Sequence, residues 1–153
     1  MNETSAITVD KEYEREEDRK KFLLIRNQIL EEIKLTEDNI HKKVLKAPML
    51  ASRYSSLLIK EQRILHNLEG QKNKVYKRLV IHYKQPKNNL LIETKSDLET
   101  FVLGHDNYVN INKLCNEHKI RVDFYKEHIA MFKNLSYIYS SYVEYKKLKE
   151  GSC

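Results

Sequence analysis

ASRYSSLLIKEQRILHNLEGQKNKVYKRLVIHYKQP, running from Ala51 to Pro86, is the stretch on which the reading of the whole chain turns. With Lys87 just past its end it holds nine basic residues (Arg53, Lys60, Arg63, Lys72, Lys74, Lys77, Arg78, Lys84 and Lys87) against two acids, Glu61 and Glu69, a balance of +7. The whole chain carries a formal +6, so everything outside this segment is close to neutral and the positive charge is concentrated. Leu50, Tyr54, Leu57, Leu58, Ile64, Leu65, Leu68, Val75 and Leu79 recur within it at steps of three and four, which belong to one side of an α-helix. One face therefore seeks protein, and another offers cations to something anionic.

The rest of the composition agrees with a chain of long helices. Of 153 residues, 33% are charged and 41% apolar, with only three glycines and two prolines. So few turn residues predict an all-α fold of long elements and argue against a β-fold with many tight turns. The length fits one domain, or a helical arm plus a domain. Apolar runs such as Phe22 to Ile25 are too short to cross a bilayer, and the first twenty residues are acidic with no hydrophobic signal region, which predicts an intracellular, cytoplasmic protein without a membrane partner. Cys115 and Cys153 have neither metal-site spacing nor a disulfide framework, and a reducing compartment suits them.

In chain order, Met1 to Val9 offers little to pack and is expected to be disordered. Asp10 to Lys21 alternates charges densely, as a solvated helix with ion pairs three and four apart does, and leads into Phe22, Leu23, Ile25, Ile29, Leu30 and Ile33. This helix is expected to end near Leu35, where Thr36, Glu37, Asp38 and Asn39 make a break or a new cap. A second short segment covers Ile40 to Lys46, with Pro48 as stop and restart, and the central helix runs from Met49 to Tyr83 across Gly70. Leu90, Leu91 and Ile92 form a short extended piece or cover part of the core. Thr94 or Ser96 starts the next helix, Ser96 having Glu99 at capping-box spacing, and Gly104 closes it.

The final helix is predicted from Asp106 to Lys149. Its seam reads Ile111, Cys115, His118, Val122, Tyr125, Ile129, Phe132, Ser136, Tyr139 and Val143, a near-regular heptad. From Ile129 a second apolar set joins it, namely Leu135, Ile138, Tyr142, Tyr145 and Leu148. A helix apolar over so much of its circumference needs more than one partner helix. The C-terminal third is accordingly expected to lie between subunits, with Val122, Tyr125, Ile129, Phe132, Leu135, Ile138, Tyr139, Tyr142 and Val143 as oligomerisation residues. A helix central to the core of a monomer is the plainer alternative.

Nothing in the sequence supports an enzyme strongly. It has no Gly-rich phosphate loop, no nucleophile elbow and no His-Glu-x-x-His pair. Glu117-His118 and Glu127-His128 are adjacent pairs, and neighbours on a helix diverge by about 100°, so they do not chelate together. His118, on the apolar seam, reads as a satisfied histidine rather than a ligand. No metal and no cofactor is expected. The basic stretch is more informative: Lys72, Lys74, Lys77, Arg78 and Lys84, interleaved with Tyr76, His82 and Tyr83, combine cations for phosphates with rings for base stacking. Charged helices are commonly just solvated faces, but those mix both signs, and acids are nearly missing between Ser52 and Leu90. No base-reading motif accompanies the cations, so sequence-independent binding is expected.

At these residues the chain resembles the UvsY-type recombination mediators of tailed bacteriophages. The likeness covers about Leu45 to Gly151 and is diffuse. It is carried by Tyr54-Ser55 followed by Glu61, the Gln71-Lys72 step into the basic cluster and Tyr83, Lys95-Ser96, Val102-Leu103, and the closing Glu150-Gly151. Residues 1–35 then stand as an acidic extension and first helix. Residues 36–153 form a mediator-like helical domain, with 49–84 as the DNA-binding helix and 94–150 as oligomerisation helices. The resemblance implies a ring-shaped homo-oligomer, a heptamer in the family, joined through C-terminal helices. It also implies binding to single-stranded DNA, and interaction with a recombinase and a single-stranded-DNA-binding protein that the recombinase replaces. The family's DNA-contacting motif is close to Leu-Lys-Ala-Arg. In Tyr76, Lys77, Arg78, Leu79 the lysine aligns and the arginine falls one place early, about 100° around a helix, with Lys74 as its stand-in.

Two other readings compete. A structural coiled-coil or assembly protein, with its basic face on an acidic partner protein, predicts no salt-sensitive affinity for oligonucleotides. A small helical enzyme requires a pocket holding perturbed carboxylates or histidines.

Overall fold

The scarcity of helix-breaking residues carries through to the backbone. The computed structural model of the chain describes residues 3–85 and 94–151, with side chains from residue 15 onward. Four helices follow one another: α1 (Glu3–Ile33), α2 (Ile40–Tyr83), α3 (Lys95–Gly104) and α4 (Asp106–Glu150). No strand occurs among the described residues, as the all-α expectation requires. Among them, no helix is long and apolar enough to cross a membrane. The segment Leu90 to Ile92, read as an extended piece, lies outside the described residues.

Of the stretch expected to be disordered, residues 3–9 belong to the start of α1, and Met1 and Asn2 lie outside the described residues. Once a helix is nucleated, each further residue gains a backbone hydrogen bond for the dihedrals it fixes, so the apolar segment carries the polar start with it. The helix ends at Ile33, and Thr36 to Asn39 forms the expected break. Asn39 Oδ1 accepts from the Thr36 amide at 2.9 Å, and Ile40 N donates to Thr36 O at 3.0 Å. Carbonyls left over at the end of α1 are satisfied from α2, where Lys43 Nζ donates to Glu31 O at 2.7 Å and also to Lys34 O.

Pro48 does not separate two helices. α2 runs through it without interruption, which corrects the expected stop and restart. An interior proline loses one hydrogen bond and crowds the carbonyl four residues back, a cost of about 3 kcal/mol. Ala47, Leu50, Ala51 and Tyr54 around it are all buried. Burying one leucine-sized side chain contributes about 1.5–3 kcal/mol, enough in sum to offset that cost.

Tertiary contacts divide the chain into two compact units, Met1–Arg53 with Glu127–Cys153, and Tyr54–Lys126. In the first, the buried side chains come from α1 (Ile29), the start of α2 (Ile40, Ala47, Leu50, Ala51) and the end of α4 (His128, Ile129, Phe132, Leu135). In the second, Leu79, Leu98 and Val102 form a core, with Val75, Tyr76, Val80, Tyr83 and Tyr108 packed against it. The short helix in this unit is capped by Thr94 rather than Ser96. The Thr94 hydroxyl accepts from the Asp97 amide at 3.1 Å while Asp97 Oδ2 accepts from the Thr94 amide at 2.9 Å, a capping box two residues earlier than the Ser96–Glu99 spacing. Gly104 is the last residue of α3, as expected, but the cap that follows is His105 in an extended conformation. His105 Nδ1 in turn accepts from the Asn107 amide at 3.1 Å in the first turn of α4.

Within the second unit α2 and α4 run antiparallel. Glu61 meets His118 and Arg121, Glu69 and Lys72 act on Cys115, and Tyr76 meets Tyr108, so positions rise along one helix as they fall along the other. The α4 seam is buried within the single chain from Cys115 to Phe132, and then passes to Leu135, leaving Ser136 exposed. A straight helix repeats at 3.6 residues, so a 3.5-residue reading drifts off the face within a few turns. On α2, Ile64 is 41% exposed and does not belong to the apolar row.

Glu61, with its side chain 12% exposed, lies inside that row, where His118 Nδ1 is 2.6 Å and Arg121 Nη1 3.6 Å from the same Oε1. A carboxylate only accepts, so the histidine proton on Nδ1 points at it. Removing one partner of a buried ion pair leaves the others uncompensated, typically at 3–5 kcal/mol. Glu61→Ala should lower stability by about 3 kcal/mol in urea denaturation, and Glu61→Gln by less because the amide oxygen still accepts. A loss under about 0.5 kcal/mol, the range of ordinary surface substitutions, would show that the carboxylate does not hold the two helices.

Candidate nucleic-acid interface

Around α2, charge and apolar surface are separated by angle. At 100° per residue, Lys60, Arg63, Lys74, Lys77 and Arg78 fall within about 100° of arc, opposite Tyr54, Leu65, Leu79 and Tyr83. All five cations are exposed. Glu61 and Glu69 are the only acids in this 44-residue helix. Glu61 is turned inward onto His118 and Arg121, and Glu69 projects from the flank nearer the core. The outward arc thus carries no negative charge of its own. Exposed Ile59 and Ile81 lie in the same arc, and Ile59, Gln62, Arg63, His66 and Asn67 line a shallow concavity of about 430 Å³ on it.

Not every residue predicted for this surface is on it. Lys74, Lys77, Arg78 and His82 are exposed on the helix, and Lys84 is exposed in the turn that follows. Lys72 is half-buried and lies on the core side, eighteen residues and five whole turns from Tyr54. Its charge acts on Cys115 instead. Tyr76 and Tyr83, expected to offer stacking faces, are committed to the core: Tyr76 meets Tyr108 edge-on at 6.0 Å, and Tyr83 contacts Phe101 at 5.7 Å and His105 at 6.2 Å. The His82 ring sits edge-on to Tyr83 at 5.3 Å. The arrangement is therefore a row of cations with aliphatic, amide and imidazole neighbours, in which charge is the dominant chemistry and an anionic backbone the fitting ligand.

The predicted oligomerisation residues also divide. Val122, Tyr125, Ile129, Phe132 and Leu135 are buried within the single chain, and Tyr139, Tyr142 and Val143 are half-buried, so most of that seam serves the chain's own core. Ile138 is 44% exposed. It shares the outer side of α4 with exposed Met131 and Tyr145 at seven-residue spacing, and Leu148 and Tyr137 stand exposed beside them.

Sequence reasoning names Glu61 as a minority charge and among the residues of the resemblance, gives it no part in joining helices, and omits Arg121. The available signal was an acid on the apolar side of one helix and a histidine and an arginine three apart on the seam of another. Lys60 and Arg63 are likewise missing from the predicted site, although their angle places them with Lys77 and Arg78. Among the described residues, no three His, Cys, Asp or Glu side chains come together as a metal site. No protein-family model matches the chain, and no curated protein and no solved structure matches it.

Cys115 is buried, and its burial pushes the thiol pKa up, with Lys72 pulling it down more weakly and Glu69 adding to the rise. A raised thiol pKa withholds the reactive thiolate. In a Cys153→Ser protein, Cys115 should react with a thiol reagent at pH 8 at least about tenfold more slowly in buffer than in urea. Equal rates would place the thiol on the surface.

Proposed function

We propose that this protein binds single-stranded DNA without sequence preference through the outward arc of α2 and acts without catalysis, as a mediator that helps a recombinase replace a single-stranded-DNA-binding protein during recombination and repair. The observation that carries the binding reading is the five-cation arc of Lys60, Arg63, Lys74, Lys77 and Arg78, from which the one inward-facing acid of the row, Glu61, has been withdrawn. Phosphate contacts supply affinity and position without distinguishing bases. With Tyr76 and Tyr83 held in the core, stacking contributes little, and affinity rests on charge. The mediator role itself is drawn from the resemblance to UvsY-type proteins.

A single arc of this kind binds weakly at physiological salt, and several copies on one strand bind far more tightly through effective concentration. The outer side of α4, with Met131, Ile138, Tyr145 and Leu148 exposed at near-heptad spacing, is the surface by which copies associate. The resemblance extends this to a ring, seven-fold in that family.

Two measurements test the reading. Affinity of the wild-type protein for a labelled oligothymidylate should fall with salt, log K against log salt having a slope of about −0.7 per phosphate contacted. Charge reversal at Lys77 and Arg78 should weaken binding at least about tenfold, because each cation neutralises a phosphate. Unchanged affinity would remove the arc as the site, and salt-independent binding would favour an acidic protein partner. Separately, Ile138→Glu with Tyr145→Glu should reduce the mass seen by light scattering to that of a single chain while helical circular dichroism persists. A wild-type protein that is already monomeric would exclude the α4 surface.

A further inference from the structure

The first unit contains a second cationic feature, of a different kind from the arc on α2. Glu32, Asn39, Lys42, Lys43, Lys46, Met49, Leu50 and Arg53 line a concavity of about 380 Å³ between the end of α1 and the start of α2. Four cations face one carboxylate there. Lys43 is held in place by the carbonyls of Glu31 and Lys34, so its charge is fixed in position rather than swinging in solvent. Lys42 and Lys46 are exposed and have no acidic partner among the described residues. They are four residues apart on one helix, a rise of about 6 Å. Met49 and Leu50 give the concavity an apolar side.

We propose that this concavity is a second contact for the nucleic-acid strand, with Lys42 and Lys46 taking neighbouring phosphates and Met49 lying against a sugar or base. The proposal rests on the single-strand-binding reading above and extends it from one site per chain to two. Lysines one helical turn apart, both outside any ion pair among the described residues, match a repeating anion better than a lone one. The apolar wall favours a ligand that has unsaturated or sugar carbon beside its charge. Glu32, the one carboxylate of the lining, is hydrogen-bonded to Gln28 at 3.2 Å. The fixed charge of Lys43 raises the local potential without having to reach the strand itself. A strand long enough to reach both contacts gains the effective concentration of a linked site.

The test compares Lys42→Gln with Lys46→Gln, singly and together, against the Lys77 and Arg78 charge reversal, using anisotropy of a labelled oligothymidylate over a range of salt. The double glutamine variant should lower affinity by about three- to tenfold and reduce the salt slope by about 1.4, twice the single-strand value per phosphate. Each single variant should reduce the slope by about half of that. Both lysines are exposed, and unchanged circular dichroism checks that α1 and α2 remain in place. If affinity and slope are unchanged in the glutamine variants while the charge reversal still weakens binding, the second contact is overturned and the α2 arc stands. If neither set of variants weakens binding, the single-strand reading fails as a whole. Polyglutamate that binds the wild type and not the double variant, with oligonucleotide affinity untouched, would assign the concavity to an acidic protein and overturn the proposal.

Discussion

Two long helices can slide along one another by a turn at little cost when every contact between them is aliphatic. A carboxylate buried in the apolar row of α2 removes that freedom. Glu61 is satisfied where His118 and Arg121 reach it, so sliding α2 on α4 by a turn would take both partners away from the buried charge. The stability of such a group against a hydrophobic replacement is small or negative, whereas removing one partner and leaving the rest in place is costly. The same register brings Tyr76 to Tyr108 and Cys115 to Lys72. It also has an electrostatic consequence on the far side of the helix. An acid that is held inside cannot neutralise the lysines and arginines outside, so the interaction that aligns the core leaves the surface arc uniformly positive.

The tyrosines follow from this geometry. A ring interleaved with cations along the chain is at the mercy of its angle around the helix, and Tyr76 and Tyr83 share the angle of Leu79 and Leu65 rather than that of Lys77. They close the core between α2, α3 and the start of α4, where Tyr83 touches both Phe101 and His105. An aromatic pair of this sort contributes about 0.5–1.5 kcal/mol beyond its buried area. In a cluster whose buried members are Leu79, Leu98 and Val102 with a half-buried surround, that contribution is substantial. Moving either ring outward to stack on a base would open the joint between the helices.

Much of this architecture is legible along the chain. The paucity of glycine and proline predicts long helices, Thr36 to Asn39 marks the first break, and Gly104 with Asp106 marks the join between α3 and α4. What is not legible depends on comparing energies. Pro48 reads as a stop when only its lost hydrogen bond is considered, and it ceases to be one when Ala47, Leu50 and Ala51 are buried beside it. Thr94 and Ser96 both stand three residues before an acid, and Thr94 with Asp97 is the pair that forms the capping box. The α4 seam departs from a strict heptad at Leu135 because nothing supercoils the helix to 3.5 residues per turn. The candidate site is half legible: a count along the chain finds the excess of cations, while only the angle around the helix separates Lys72 from Lys74 and joins Lys60 and Arg63 to Arg78.

Charge without stacking limits what one chain can do. A surface that holds a strand by phosphates alone has an affinity that decays steeply with salt, and it cannot tell one sequence, or one register along a strand, from the next. Such a surface is suited to a protein that must hold a strand and let it move. A partner that stacks bases would compete for the opposite edge of the same strand rather than for its phosphates. Under the proposed reading, tight binding comes from number, either from the second cationic contact proposed within the chain or from further copies proposed to join through the exposed apolar side of α4. Both routes multiply weak contacts without fixing any of them, and neither needs the aromatic rings that the core of Leu79, Leu98 and Val102 retains.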